Sequence, residues 1–438
     1  MSWQGIPVRS AFPANHPLSF NFEMILRART VLPIAQPPIE NGAVVILGNR
    51  IRAVGHWPGL KNRSGEMPLD LGDVILLPGL INAHCHLDYT DMAGELPPPK
   101  TFTDWISLIT AAKTAWSYSE YAQSWLNGAH MLLKTGTTTV ADIEAMPDLL
   151  PEVWDATPLR VFSFLEMTGI RARRNPGDIL REAVNKITSL THARNRVSLS
   201  PHAPYSTLPE LLRLAAGTAR KRKWRVTTHV AESDQEFEMF MHARGKMFEW
   251  LRRNERDNSD CGHGSPVAHL ARQHLLGENV LAVHVNCLAR GDATLLAKNK
   301  THVVHCPRSH AYFRHPPFLR ERLANAGVNL CLGTDSLATT NKTGKQNPEL
   351  DMFAEMRLLA VNDRSASPME ILRMATVNGA RALGLAGQVG ELSRNARADL
   401  IAIPAGRKSA EAAEAVLAHA GTVSASMIDG RWAIPPVG

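Results

Sequence analysis

The sequence predicts an α/β fold: a (β/α)8 TIM barrel with a small β-sandwich domain built from both chain ends. Three observations predict it. Between roughly residues 76 and 385, apolar strand patterns alternate with helical stretches, as βα units on a parallel sheet do. Eight such strands can be counted there, the number that closes a barrel. Short strand patterns that cannot bury themselves alone stand at both ends of the chain, and pairing them into one domain is the simplest arrangement. The expected division is 1–75 and 386–438 for the end domain and 76–385 for the barrel.

Residues 1–21 hold several prolines and polar side chains and read as an irregular leader. End-domain strands are expected at 24–32, 42–47 and 52–54, punctuated by proline and by Asn41-Gly42, and again at 399–403, 423–428 and 430–432. Barrel strands are expected at 74–86, 136–142, 160–166, 197–202, 225–229, 280–284, 302–305 and 328–335. These strands end in His, Asp or Glu. Catalytic residues of a barrel gather at the C-terminal ends of its strands, whereas a surface role would scatter them. An open doubly wound sheet is the rival fold, but no Gly-x-Gly-x-x-Gly follows a first strand. Between the fifth and sixth strands lies a long segment, 232–279, with helices expected at 236–253 and 266–276 and an exposed polar loop at 254–260. It leaves the side of the barrel on which it can cover a site; a neutral surface insertion is the equal alternative.

The 438 residues suffice for a barrel and a smaller domain, and 44% hydrophobic with 20% charged residues is the composition of a soluble globular protein. The net charge of +7 raises nucleic acid or anionic ligands as partners. The basic residues are scattered, however, and the runs at 171–174 and 220–223 are short, so no nucleic-acid partner is expected. Five cysteines, at 85, 261, 287, 306 and 331, form no Cys-x-x-Cys pair, so reduced thiols and a cytoplasmic protein are expected. The N-terminus lacks the pattern of a signal peptide, and no apolar run approaches the ~20 residues of a membrane span, so no membrane partner is expected.

The chemistry begins at Leu77-Pro78-Gly79-Leu80-Ile81-Asn82-Ala83-His84-Cys85-His86. Alternate residues of a strand share a face, so His84 and His86 project together and Cys85 points away. The pair is half a metal site or, alternatively, two satisfied core histidines. Converging strand ends add His229 and Asp335, a set of three nitrogens and one oxygen that suits one divalent ion, zinc or ferrous iron. Such an ion lowers the pKa of a water toward ~7 and makes a hydroxide nucleophile available. Glu232 follows His229 on the turn leaving the strand, where it can carry protons as general acid and base; a charge at a helix N-terminus is the compatible alternative. His284 ends the sixth strand and can orient the attacking water. His202 stands between Pro201 and Pro204 in a rigid loop and reads as a substrate contact, or as a loop-packing histidine. The spacing of His302 and His305 puts them on opposite strand faces, with His305 a pocket wall and not a ligand.

Taken together, the chain resembles the amidohydrolase superfamily in its deaminase and chlorohydrolase branch. The matching motifs run in the family's order over nearly the whole chain: the Pro78–His86 segment, Gly136-Thr137-Thr138-Thr139, Pro201-His202-Ala203-Pro204-Tyr205, His229-Val230-Ala231-Glu232, His284, Cys306-Pro307-Arg308-Ser309 and Gly333-Thr334-Asp335-Ser336. Ala375-Thr376-Val377-Asn378-Gly379-Ala380-Arg381 and Ala398-Asp399-Leu400-Ile401 follow. The resemblance implies a barrel with a sandwich-like domain and one metal held by His84, His86, His229 and Asp335. It implies proton transfer by Glu232, assistance to the attacking water from His284, a proton-accepting role for Asp335 and a substrate contact from His202. Binuclear branches bridge two metals with a carbamylated lysine, commonly on strand four, and 196–202 holds no lysine. The His-x-Glu and Pro-Cys-x-x-Cys pattern of the other zinc deaminases is absent as well.

The implied function is a deaminase that releases ammonia from an aminated N-heterocycle, an aminopurine nucleoside or base. A chlorohydrolase or amide hydrolase with the same site is the alternative, and a non-catalytic binding barrel a remoter one. The nearest resemblance is to deaminases of S-adenosylhomocysteine, methylthioadenosine or aminodeoxyfutalosine. In the first of these an acidic residue after strand one holds the ribose and an arginine ending strand three holds the carboxylate. Here the helix 102–116 shows no matching acid and strand three ends Leu165-Glu166-Met167. Glu166 suits a substrate bearing hydroxyls or amines, or else supports the residues in front of it. Trp105 and Ser309 complete the candidate substrate contacts. A homo-oligomer is left open.

Overall fold

The computed structural model describes residues 23–62, 67–97, 99–170, 174–340, 348–406 and 408–436. The leader at 1–21 and the basic run from 171 to 173 lie outside them. Eight parallel strands follow one another around a barrel in chain order. They are β1 (Leu80–Cys85), β2 (Thr137–Glu144), β3 (Arg160–Met167), β4 (Arg196–Pro201), β5 (Val226–Val230), β6 (Val280–His284), β7 (His302–His305) and β8 (Leu330–Leu332). Residue type explains the strands. β2 carries three Thr, one Val and one Ile, whose branched Cβ favours extended backbone, and all of its residues are buried, as in a sheet covered on both faces.

The barrel closes between β8 and β1. The backbone N–H groups of Thr334 and Asp335 donate to the His84 carbonyl at 3.0 and 3.1 Å. Behind this seam the Asn82 amide donates to the Thr334 hydroxyl at 2.7 Å and accepts from the Thr334 N–H at 3.1 Å. Gly333 permits the close approach: a Cβ there would lie 2.7 Å from the His84 carbonyl oxygen. Closure thus sets the first His and the last Asp beside each other.

Both chain ends form a second, mixed sheet of eight strands, the short Leu69–Asp70 beside Glu23–Val31 among them. Leu400–Pro404 from the C-terminal part pairs antiparallel with Val74–Pro78, which pairs parallel with Glu23–Val31; Ile39–Leu47 and Arg50–His56 extend one side, and Ala425–Ile428 and Arg431–Ile434 the other. Alternate residues serve two cores. Leu76, Leu400 and Ala402 pack with Leu26, Val44 and Met427, whereas Ile75, Leu77, Ile401 and Ile403 join the large core shared with the barrel helices.

Five expectations are corrected. The apolar run 74–86 is two strands, Val74–Pro78 in the end sheet and Leu80–Cys85 in the barrel, because the chain turns at Gly79, where a side chain would collide with Thr138. Asn41-Gly42 lies inside Ile39–Leu47 and not before it, with Asn41 at φ 46°. The helix expected over 236–253 is two, Asp234–His242 and Lys246–Arg253, broken where Ala243 and Gly245 take φ of 50° and 97°. The next helix stops at Arg272, and the polar stretch before it is no free loop, since Arg256 within it is buried. All five cysteines are free, and no helix among the described residues is long and apolar enough to cross a membrane.

Candidate active site

Each candidate for metal binding or proton transfer stands at or just past the C-terminal end of a barrel strand: His84 and His86 at β1, His229 and Glu232 at β5, His284 at β6 and Asp335 beyond β8. All six are buried. Four residues of these turns hold a left-handed backbone without being glycine: Ala231 (φ 50°), His284 (73°), Val285 (52°) and Asp335 (54°). Such conformations cost energy, and they concentrate where a side chain must be aimed.

The aim is at one point. His86 Nε2 lies 3.3 Å from His229 Nε2. Asp335 Oδ1 lies 3.5 Å from His84 Nε2 and 3.7 Å from His86 Nε2. His84, His86 and His229 form one group with ligand atoms within 4.8 Å of one another, and His84, His284 and Asp335 form a second. Both ring nitrogens of His84 are buried without a hydrogen-bond partner, a costly state for polar atoms. The His229 Nδ1–H donates to the His202 carbonyl at 2.8 Å, which leaves Nε2 with its lone pair toward the cluster. Two nitrogens bound tetrahedrally at about 2.1 Å to one ion lie about 3.4 Å apart, close to the spacing of His86 and His229. The donor set fits a divalent metal.

Burial and charge sort the protons. Burial, with Asp335 and Glu236 nearby, pushes the Glu232 carboxyl well above its ordinary range. Burial pushes Asp335 the same way, but the close approach of His84, with His284 and His86 beside it, prevails and holds it well below. Burial lowers His284 and His86 to about 3 and His229 well below its usual value, so the rings are neutral donors of lone pairs. Glu232 Oε1 is 3.5 Å from His284 Nε2, and its backbone is fixed by bonds from its N–H to Glu236 (2.9 Å) and from the Asn286 amide to its carbonyl (2.9 Å).

A second polar group adjoins the first. His202 Nδ1 pairs with the Ser206 hydroxyl at 2.6 Å, and its Nε2 lies 3.7 Å from Glu166 Oε1. The other Glu166 oxygen is 3.6 Å from Lys113 Nζ. Burial acts to raise Glu166, yet Lys113 and His202 bring it down to about 2. Tyr89 stacks on His86 with centroids 5.2 Å apart, and the Lys113 ammonium lies over the Tyr89 ring at 4.8 Å from its centre. Aromatic rings enclose this region: Trp105 meets Tyr312 and Phe313, Phe102 meets Tyr205 and Phe313, and Tyr205 meets His202 edge-on. Trp105 therefore belongs to the enclosure, with rings as its neighbours. Ser309 is buried in the short helix Pro307–Tyr312, and no hydrogen bond joins its hydroxyl to the cluster. His305 stacks on Phe318 at 3.8 Å and lines a cavity with His310, His315 and Arg320, while His302 turns to the opposite side and contacts the Glu278 carbonyl.

Three residues are absent from the sequence reading: Lys113, Tyr89 and Arg256. Arg256 donates to the carbonyls of Pro204 and Tyr205 at 3.0 and 2.8 Å and to Asp260, and so ties the 233–279 segment to the loop that follows His202. A lysine in the last turn of a helix and an arginine in a polar stretch both read as solvated charges; only the fold supplies their partners.

Comparison with known proteins settles the family. The amidohydrolase family model matches residues 75–433. The chain belongs to the amidohydrolase family. A 5-methylthioadenosine/S-adenosylhomocysteine deaminase of Syntrophobacter fumaroxidans is 31% identical over 379 residues, covering 83% of this chain and 80% of that protein. A 5'-deoxyadenosine deaminase of Methanothermobacter thermautotrophicus is 30% identical over 361 residues, covering 79% and 77%. The crystal structure of Helicobacter pylori aminofutalosine deaminase, in complex with methylthio-coformycin, shares the fold of this amidohydrolase at a TM-score of 0.82 and 21% identity, covering 94% of this chain and 100% of that one.

Proposed function

We propose that this amidohydrolase is a metal-dependent deaminase that releases ammonia from an aminopurine nucleoside. The observation that carries the reading is the meeting of three histidines and an aspartate with a buried, proton-holding Glu232 at the strand ends. His84, His86, His229 and Asp335 would hold the ion, zinc first and iron as the alternative. Such an ion, when bound, would lower the pKa of a water enough to make hydroxide available near neutral pH. Glu232 holds the proton that passes to a ring nitrogen as water adds to the amine-bearing carbon. Asp335, ionised, accepts the proton that the water gives up. His284, neutral and 3.5 Å from Glu232, fixes the direction of attack. Glu232 then takes the proton of the adduct's hydroxyl and passes it to the amine, which leaves as ammonia; a ring carbonyl remains, and the proton on Asp335 returns to Glu232. His202 contacts the substrate beside the cluster, and Glu166 continues that wall. The relatives' activities, deamination of adenosine derivatives, favour the purine over other cyclic amidines.

The test is Glu232→Gln. Turnover should fall by at least about 100-fold, while elemental analysis finds the metal content unchanged. A near-normal rate would remove Glu232 from its assigned role. Ammonia and chloride release, measured side by side on aminated and chlorinated heterocycles, separates deaminase from chlorohydrolase.

A further inference from the structure

A second cavity lies beside β7, lined from the helix Pro307–Tyr312, the turn that follows it and the end of the helix Met352–Asn362. It holds about 760 Å³, the size of a small-molecule site, and none of the residues proposed for the ion or for proton transfer lines it. His305, His310 and His315 stand in a row on its wall, with successive ring centres 5.2 and 5.3 Å apart. The row is no metal site, because His310 has both nitrogens committed. Its Nδ1 lies 3.0 Å from Asn286 Oδ1 and its Nε2 2.8 Å from the Pro316 carbonyl. The Asn286 amide has no freedom to turn round, since its nitrogen donates to the Glu232 carbonyl at 2.9 Å. Both partners of His310 are therefore acceptors. A neutral imidazole has one N–H for the two, and only the imidazolium satisfies both. Burial acts against that charge and lowers the ring's pKa, and the Pro316 carbonyl opposes the lowering. An anion in the cavity would complete the compensation.

The rest of the lining agrees. Arg314, Arg320 and Arg322 stand against Glu321 and Asp363, and Asp363 is already bound by Arg320, so positive charge is in surplus. His315 Nε2 is buried without a hydrogen-bond partner. Arg314 holds a left-handed backbone, φ 55°, which glycine adopts at less cost; such strain persists where the side chain itself is needed. Phe318, stacked on His305 at 3.8 Å, and Leu359 supply an apolar part of the wall. We propose that this cavity binds a small organic anion, its carboxylate or phosphate set against His310 and Arg314 and its apolar body against Phe318 and Leu359. The inference stands apart from the deaminase reading, since binding here is measured without turnover.

The experiment is titration calorimetry of the full chain with benzoate, phenyl phosphate and the neutral benzamide. At least one of the two anions should bind at millimolar concentration or below, and benzamide at least about 10-fold more weakly, the difference that one charge-assisted hydrogen bond makes. The tighter anion tells carboxylate from phosphate. Two variants place the binding. Arg314→Gly keeps the left-handed turn and removes the guanidinium, and Ala311→Trp fills the cavity from an exposed position of its wall and removes no charge. Each should weaken the anion by about 10-fold or more, and Arg314→Lys should recover part of the loss. Thermal unfolding and metal content check that the variants are folded and loaded like the wild type. Equal affinity for benzoate, phenyl phosphate and benzamide overturns the inference, and so does binding of neither anion. Anion affinity unchanged in the two folded variants overturns it as well, for the anion then sits elsewhere, at the strand-end cluster first.

Discussion

His302 and His305 lie three residues apart on β7, and the strand's alternation sends them to different environments. His305 is stacked on Phe318 beside the site, and His302 is packed at the far side between the Glu278 carbonyl and the Asn329 amide. Burial, reinforced by Arg225, lowers His302 to about 4. An unfolded histidine titrates near 6.5, so between about pH 6.5 and pH 4 the unfolded chain binds a proton that the native chain refuses. Stability from this group is complete above about pH 6.5 and is lost as pH falls toward about 4, with a limiting slope of about 1.4 kcal/mol per unit. His302→Gln can keep both bonds without titrating. Chemical denaturation at a series of pH values should therefore give a shallower acid slope for the variant than for the wild type. Identical slopes would mean that His302 does not refuse the proton. His84 differs in kind: both of its ring nitrogens are buried without a hydrogen-bond partner, a costly state that one of them would relieve by binding the ion proposed above.

At the scale of elements, the strands were legible and the supports of the site were not. Thr- and Val-rich runs that end in His or Asp announce both the strand and what stands at its tip, because side-chain period and residue type are local properties. The join at Gly79 was hidden because residues on both sides of it are apolar and buried, so two strands of different sheets read as one. Lys113 and Arg256 were hidden for the opposite reason. Their partners lie on other elements, Glu166 on β3 and the carbonyls of Pro204 and Tyr205 after β4, and no local pattern shows a charge that is buried by distant chain. Arg256 also carries a prediction. The helix pair Asp234–His242 and Lys246–Arg253 leads directly into it, so the whole segment is pinned to the His202 loop through one guanidinium. Replacing Arg256 with Met should raise hydrogen exchange at the amides of 205–207 and 258–262 and leave the barrel strands protected, as local opening does. Unchanged exchange at those amides would show that the segment is held by other contacts.

On the scale of the whole molecule, the end sheet is the base on which the barrel stands, and one cation joins the two. Arg160 opens β3 at the end of the barrel away from the site. Its guanidinium lies 3.0 Å from Asp399 and 2.9 Å from Asp429, both in the C-terminal part of the chain, and Arg160 and Asp399 are buried. Asp429 is also reached by Arg397 at 2.7 Å, and its backbone N–H donates to Asp399 at 2.8 Å. Charges taken from water in this way bring little net stability while they are paired. Removing one partner leaves the others uncompensated in a low dielectric, at about 3–5 kcal/mol. Arg160→Met should therefore destabilise the protein by that order in equilibrium denaturation. The effect should shrink in Arg160→Met with Asp399→Asn, because the second change removes the stranded carboxylate, and a double-mutant cycle isolates the coupling. If the double variant lost the sum of the two single losses, Arg160 and Asp399 would be independent, and the junction between barrel and end sheet would rest on the Arg160–Asp429 pair and on its apolar face of Ile75, Leu77, Ile401 and Ile403.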